Sequence, residues 1–133
     1  RGGYIKMYVP LAAETKEDFG KFIKSMFSGL EMINTPMTFN IKTYFKTPTS
    51  FPRAAKVLAE LGIIRPWGRT GDVDNNFKTY SDASMDTLIG DDATIIDCRS
   101  QKFYSLKPRV EYEITYWERY PTGFDPKEIK PDE

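Results

Sequence analysis

Met37-Thr38-Phe39-Asn40-Ile41-Lys42-Thr43-Tyr44-Phe45 decides the fold class. Met37, Phe39, Ile41, Thr43 and Phe45 fall on one side of this stretch, and Thr38, Asn40, Lys42 and Tyr44 on the other. Side chains of a strand point alternately to its two faces, so this is a half-buried strand with one face on a core. Pro48 and Pro52 end it, because proline cannot donate to a sheet ladder.

Upstream of that strand, Phe19, Phe22, Ile23, Met26, Phe27 and Leu30 recur at three- and four-residue spacing, the pattern of one helix face. Thr15 is placed to cap this helix, Glu17 and Asp18 suit the positive end of its dipole, and Gly29 lies in its last turn. An aromatic stripe of this kind is read as core. Residues 4–9 form a short extended segment stopped by Pro10. Downstream, Ser50 is positioned to cap a short helix over 54–61 that stops at Gly62. Arg65-Pro66-Trp67-Gly68-Arg69-Thr70-Gly71 mixes turn residues with Arg and Trp and is expected to be an exposed loop. A second main helix runs from near Asp74 to about residue 85, with Phe77, Tyr80, Ser81, Ser84 and Leu88 on or near one face. A β-rich run over 93–104 follows, broken by Pro108, before Val110, Tyr112, Ile114 and Tyr116 alternate with Glu111, Glu113, Thr115 and Trp117. Those two runs are expected to pair as an antiparallel hairpin. Residues 118–133 carry Pro121, Pro126 and Pro131 without periodicity and read as a polar C-terminal tail. Strands and helices that do not alternate strictly predict an α+β domain over 1–117: one small mixed or antiparallel sheet of three to four strands, backed by two main helices.

The composition narrows the chemistry. Histidine is absent from the 133 residues, which excludes His-based zinc sites, Ser-His-Asp triads and histidine general bases. Any catalysis must run on carboxylates, lysine, hydroxyls and a hard metal ion. Cys98 is the one cysteine, so no internal disulfide forms; this suits a reducing cytosol, and a cytoplasmic location is expected. Cys98 itself falls in a predicted strand and is expected to be buried and inert. No apolar run approaches the roughly 20 residues that span a bilayer, so no membrane partner is expected.

The net charge of zero conceals a segregation. From Met37 to Gly71 there are six basic residues (Lys42, Lys46, Arg53, Lys56, Arg65, Arg69) against Glu60 alone. From Asp72 to Asp97 there are seven aspartates (72, 74, 82, 86, 91, 92, 97) against Lys78 alone. Converging carboxylates repel unless they protonate or bind a cation. A basic stretch leading into an acidic one is what a phosphate-binding metal site needs; two solvated surfaces of opposite sign explain it equally well.

Two segments carry the chemistry: Asp72-Val73-Asp74-Asn75-Asn76-Phe77-Lys78, and Asp91-Asp92 ahead of Ile95-Ile96-Asp97. Asp74, Lys78 and Asp82 are spaced by four and lie along one helix face. Asp74 falls in the first turn, where the dipole holds a carboxylate ionised, and Lys78 offers a point charge to a phosphate oxygen one turn on. Oxygen ligands with no His or Cys beside them point to Mg²⁺ or Mn²⁺. An EF-hand loop is rejected: Asp72, Asp74 and Asn76 fit its positions 1, 3 and 5, but Phe77 replaces the required Gly and Ala83 the bidentate Glu. The alternative left open is that Asp72 and Asp74 cap a helix and Asp91-Asp92 forms a turn.

Asp72, Asp74-Asn75, Lys78, Asp82, Asp91-Asp92 and Ile95-Ile96 occur in the order and spacing of the RusA family of Holliday-junction resolvases, which this chain resembles. Lys102-Phe103-Tyr104 is similar to the family's Lys-x-Tyr, and the N-terminal Gly-Tyr with Tyr8-Val9-Pro10 to its phage-type members, so the resemblance spans about residues 1–117. It implies a RusA-like fold and a crossover junction endodeoxyribonuclease that hydrolyses phosphodiesters with Mg²⁺, or with Mn²⁺. Asp72, Asp74 and Asp92 would bind the catalytic metal, with Asp91 as a less certain neighbour, and Lys78 would support the scissile phosphate. It also implies a homodimer acting on branched DNA in recombination and repair. Beside it, Arg1, Arg65, Arg69 and Lys102 are candidate DNA contacts. Two departures are visible. Thr70-Gly71 stand where the family has Lys-Pro, and a first strand with a basic Arg-Pro-Arg-like loop normally precedes the equivalent of Arg1, so a strand missing before residue 1 is expected. The competing reading is a catalytically silent DNA-binding or assembly module that kept the fold.

Chain geometry adds a constraint. A helix from Asp74 to about residue 85 is roughly 16 Å long, and residues 87–91 span at most about 18 Å. Asp92 therefore returns to Asp74 only along a nearly straight path, or after a helix that ends early; otherwise the carboxylates come from different subunits. Trp67, with Arg65 and Arg69, either stacks on DNA or packs its own turn. Lys102 either touches DNA or faces solvent.

Overall fold

In a computed structural model of the chain the described residues are 2–10, 21, 24–25, 31–68, 73, 78, 81–82, 89–90, 92–120 and 122–129. Four strands, β1 (Gly2–Pro10), β2 (Met37–Lys46), β3 (Ile95–Ser105) and β4 (Arg109–Trp117), form one mixed sheet in the order β1-β4-β2-β3. Strand β4 is antiparallel to both β1 and β2, and β2 is parallel to β3. The architecture is α+β with a mixed four-stranded sheet, as the alternation of apolar and polar residues predicts.

The core sits where that alternation places it. Met37, Phe39 and Ile41 of β2 and Tyr112 and Ile114 of β4 are fully buried, with Val110 nearly so. Phe39 lies opposite Ile114 and Ile41 opposite Tyr112, and the rings of Phe39 and Tyr112 meet edge to face with centroids 5.1 Å apart. Burying each of these side chains contributes about 1.5–3 kcal/mol, which is why the two strands occupy the centre of the sheet. Their intervening residues form the opposite face, where Lys42 and Glu113 make an ion pair at 3.1 Å.

The structure corrects the expected hairpin. Strands β3 and β4 run in opposite directions but do not pair; β2 lies between them. Residues 106–108 are enough for this step, because two strand spacings amount to about 10 Å and four Cα–Cα steps reach about 15 Å. The connection crosses the end of β2, where Thr47 N donates to Ser105 O at 3.1 Å. Strand β3 is left at the edge, and Ile96, Asp97, Cys98 and Arg99 are exposed. Cys98 is thus exposed rather than buried, since an edge strand has a paired neighbour on one side only.

Between β2 and β3 lies helix α1 (Arg53–Glu60), capped by Pro52 without a side-chain hydrogen bond. Ser50 does not cap it: the chain turns at 48–51 through Phe51 N to Pro48 O at 3.2 Å, and the helix begins two residues later than Ser50 would set it. Gly62 ends it as expected, at φ 76°. Of the two main helices expected, most residues lie outside the described set; Lys21, Lys24 and Ser25 in the first region and Val73, Lys78, Ser81 and Asp82 in the second are helical. After β4, Asp125 caps a 3-10 turn, Pro126–Glu128, by accepting from Lys127 N at 2.9 Å. Among the described residues no helix is long and apolar enough to cross a membrane.

Candidate active site

Asp92 opens the 3-10 turn Asp92–Thr94, which leads directly into β3. The parallel β2–β3 pair sets the position of this turn. Ahead of both strands Ile33 and Ile89 form a parallel bridge, and Gly90 N donates to Ile33 O at 3.1 Å. Both isoleucines are buried, which draws the segment before β2 against the segment before β3. Asn34 then packs on Gly90 so closely that a Cβ at position 90 would overlap its side-chain amide. The backbone on each side of the aspartate pair at 91–92 is therefore fixed by the sheet.

Lys78 is helical and exposed. Three residues on, Ser81 is buried and its hydroxyl donates to Lys78 O at 3.2 Å, while Asp82 is half-buried. Asp72, Asp74 and Asp91, with Arg1 and Arg69, lie outside the described residues, as does the side chain of Asp92. Among the described residues no three His, Cys, Asp or Glu side chains are grouped to hold a metal ion.

Arg65 and Lys102, two expected DNA contacts, are brought together. Arg65 Nε donates to Lys102 O at 2.8 Å, and the guanidinium carbon lies 4.2 Å from the centre of the Phe103 ring. Phe103 stacks on Tyr44 at 5.1 Å and 19°, and Arg109 lies 3.9 Å over the other side of the Tyr44 ring. The ladder Arg109–Tyr44–Phe103–Arg65 thus crosses β4, β2 and β3 and ends on the loop after α1. Tyr44 and Phe103 are partners in register, as are Tyr44 and Arg109. Sequence reasoning missed this feature, because its members meet only once the strand order is known.

The polar face beside the ladder is closely compensated. Glu111, 5% exposed, accepts from Arg109 Nε at 2.8 Å and from the Tyr44 hydroxyl at 3.5 Å. Burial, and next the charge of Glu111, push the Tyr44 phenol above its usual pKa, so it stays protonated as the donor. Burial pushes the Glu113 carboxyl upward, but the hydrogen bond and charge of Lys42 and the hydroxyl of Tyr4 outweigh it, leaving Glu113 below its usual range.

Trp67 is 87% exposed and does not pack its own turn.

The description that matches residues 2–115 is a DNA-cutting enzyme, endodeoxyribonuclease RusA. The chain belongs to the RusA endodeoxyribonuclease family. A Bacillus subtilis (strain 168) protein described as uncharacterized protein YqaN is 31% identical to it over 116 residues, covering 86% of this chain and 81% of that protein.

Proposed function

We propose that this chain is a divalent-metal-dependent endonuclease that resolves four-way DNA junctions by paired phosphodiester hydrolysis, acting as a cytoplasmic homodimer of phage or prophage origin. One observation carries the reading: every acidic position of the motif and Lys78 are filled, in order, in a chain that belongs to a nuclease family.

The donor set fits Mg²⁺ or Mn²⁺. Asp72, Asp74 and Asp92, with Asp91 beside them, supply hard carboxylate oxygens, and no histidine or nearby thiolate competes for the site. When bound, such an ion neutralises phosphate charge and makes water a better nucleophile. Water adds to phosphorus as one bridging P–O bond breaks, and the leaving oxygen takes up a proton. Asp92, at the mouth of the parallel strand pair, would be held in place by the Ile33–Ile89 bridge behind it. Lys78 would place its ammonium against a non-bridging oxygen and stabilise charge that grows in the transition state. Two copies would present two sites to opposing strands of the junction.

Ion binding tests the reading against a silent DNA-binding module. A ligand that binds only the folded chain stabilises it by RT ln(1 + [L]/Kd), about 2.7 kcal/mol at a hundredfold excess over Kd. Thermal melting with increasing Mg²⁺ or Mn²⁺ is expected to rise for the wild type and to stay flat for Asp74→Asn. Equal, flat responses from both proteins favour the silent module.

A further inference from the structure

Trp67 has no role in the chemistry above, yet it is the most exposed large apolar side chain among the described residues, at 87% against 68% for Leu61. Its backbone surroundings are held in place. Pro66 before it is buried, Arg65 is tied to Lys102 O and stacked on Phe103, and Gly68 after it turns the chain at φ 86°. An indole projected from an anchored turn has little ordering entropy to lose when it meets a flat partner.

The charge of the surrounding sequence suits one kind of partner. From Lys46 to Gly71 there are five basic residues, and the one acid, Glu60, is engaged by the Leu106 amide at 2.6 Å. Arg65 is exposed two residues from Trp67. Aromatic side chains set among cations are how proteins hold unstacked bases on a phosphate backbone. The chain adds proximity: Asp72 follows Trp67 by five residue steps, a backbone reach of at most about 18 Å. That is about five nucleotide steps at roughly 3.4 Å each.

We infer that Trp67 is a base-stacking residue that engages an unstacked nucleobase at the branch of the DNA. The inference rests on the junction reading above and adds to it the group that distinguishes a branch from continuous duplex. Continuous duplex has no base free to meet the indole, so Trp67 contributes to junction affinity and not to duplex affinity. Val57, Leu58, Leu61 and Ile63 are also exposed nearby in the chain, so a contact between two copies of the protein is the competing use of this surface.

The experiment compares wild type, Trp67→Ala and Trp67→Phe. Affinity is measured in metal-free buffer for a synthetic four-way junction and for a linear duplex, with 2-aminopurine placed at the branch. Because the side chain is exposed, both variants are expected to melt with the wild type. Trp67→Ala is expected to weaken junction binding about 5- to 150-fold. Trp67→Phe should retain most of the affinity, and duplex binding should change by less than about twofold for either variant. The 2-aminopurine signal should be quenched by wild type and Trp67→Phe but not by Trp67→Ala. Unchanged junction affinity, an equal loss on junction and duplex, or a smaller species in sedimentation of Trp67→Ala would overturn the inference. A wild-type chain that prefers the junction through Trp67 but cuts nothing in Mg²⁺ upholds it, and that result would instead defeat the nuclease reading.

Discussion

The side-chain amide of Asn34 occupies the space that a Cβ on residue 90 would need, and only glycine at that position lets the two segments close. Closure matters because Gly90 N donates to Ile33 O, and Ile33 and Ile89 are buried together as a parallel bridge ahead of β2 and β3. A contact between uncharged groups thereby sets where the chain turns into Asp92.

Gly90→Ala is therefore expected to cost about 1–3 kcal/mol, the usual range for overpacking a closed site. Shortening the opposing side chain should relieve it, so Asn34→Ala with Gly90→Ala should be more stable than the sum of the single changes predicts. Urea denaturation of the four proteins checks this. Strictly additive losses would mean that the two residues do not oppose each other.

What was legible in the sequence follows from what alternation can encode. The faces of β2 and β4 were readable because Met37, Phe39, Ile41, Tyr112 and Ile114 repeat with period two. Which strand lies beside which was not, because alternation specifies a face and not a neighbour. That is why β3 and β4, joined by residues 106–108, read as a hairpin although β2 separates them. The burial of Cys98 was misread for the same reason: edge position belongs to the assembled sheet. The motif aspartates and Lys78 were legible through joint spacing alone, since no single one of them is distinctive. Asn34, the Tyr44–Phe103 stack and the Arg65 anchor had no sequence signal, because each joins residues more than thirty positions apart.

Glu113 gives the stability of the sheet a pH dependence. Its carboxyl is held below the ordinary value of 4.5 by Lys42 and Tyr4, which prevail over burial. A depressed carboxyl contributes stability that is present above its unfolded value and lost as pH falls through the folded one. Wild-type stability should therefore fall more steeply below about pH 4.5 than that of Glu113→Gln. Denaturation at pH 7 and at steps down to pH 3 tests it. Parallel curves would remove Glu113 from the acid limb.

Arg109 is expected to matter more than its exposure suggests. It neutralises Glu111, whose residue is 5% exposed, and covers the Tyr44 ring. Arg109→Ala would leave that carboxylate buried and without its partner, at a cost of about 2–4 kcal/mol. Changing Glu111 to Gln in the same protein removes the uncompensated charge and should recover part of the loss. Chemical denaturation that shows no recovery would place the cost in lost packing on Tyr44 instead.

Arg65 holds the loop through shape as well as charge. Its Nε bonds Lys102 O while its plane stacks on Phe103. Arg65→Ala is expected to cost about 1–2 kcal/mol, combining one hydrogen bond from a charged donor with an exposed cation–π contact. Arg65→Lys should recover less than half, because an ammonium has neither the fork nor the flat face. Full recovery by lysine, read by urea denaturation, would show that charge alone suffices.

Asp72, Asp74 and Asp92 are proposed to hold a metal ion with which this chain cuts branched DNA. The direct measurement is Mg²⁺-dependent cleavage of a synthetic four-way junction by wild type and Asp74→Asn, with linear duplex as control. Paired nicks across the junction are expected from wild type, and no detectable cleavage from Asp74→Asn even where junction binding is retained. Cleavage by the variant at the wild-type rate, or no metal-dependent cleavage by the wild type while it still binds the junction, would contradict it.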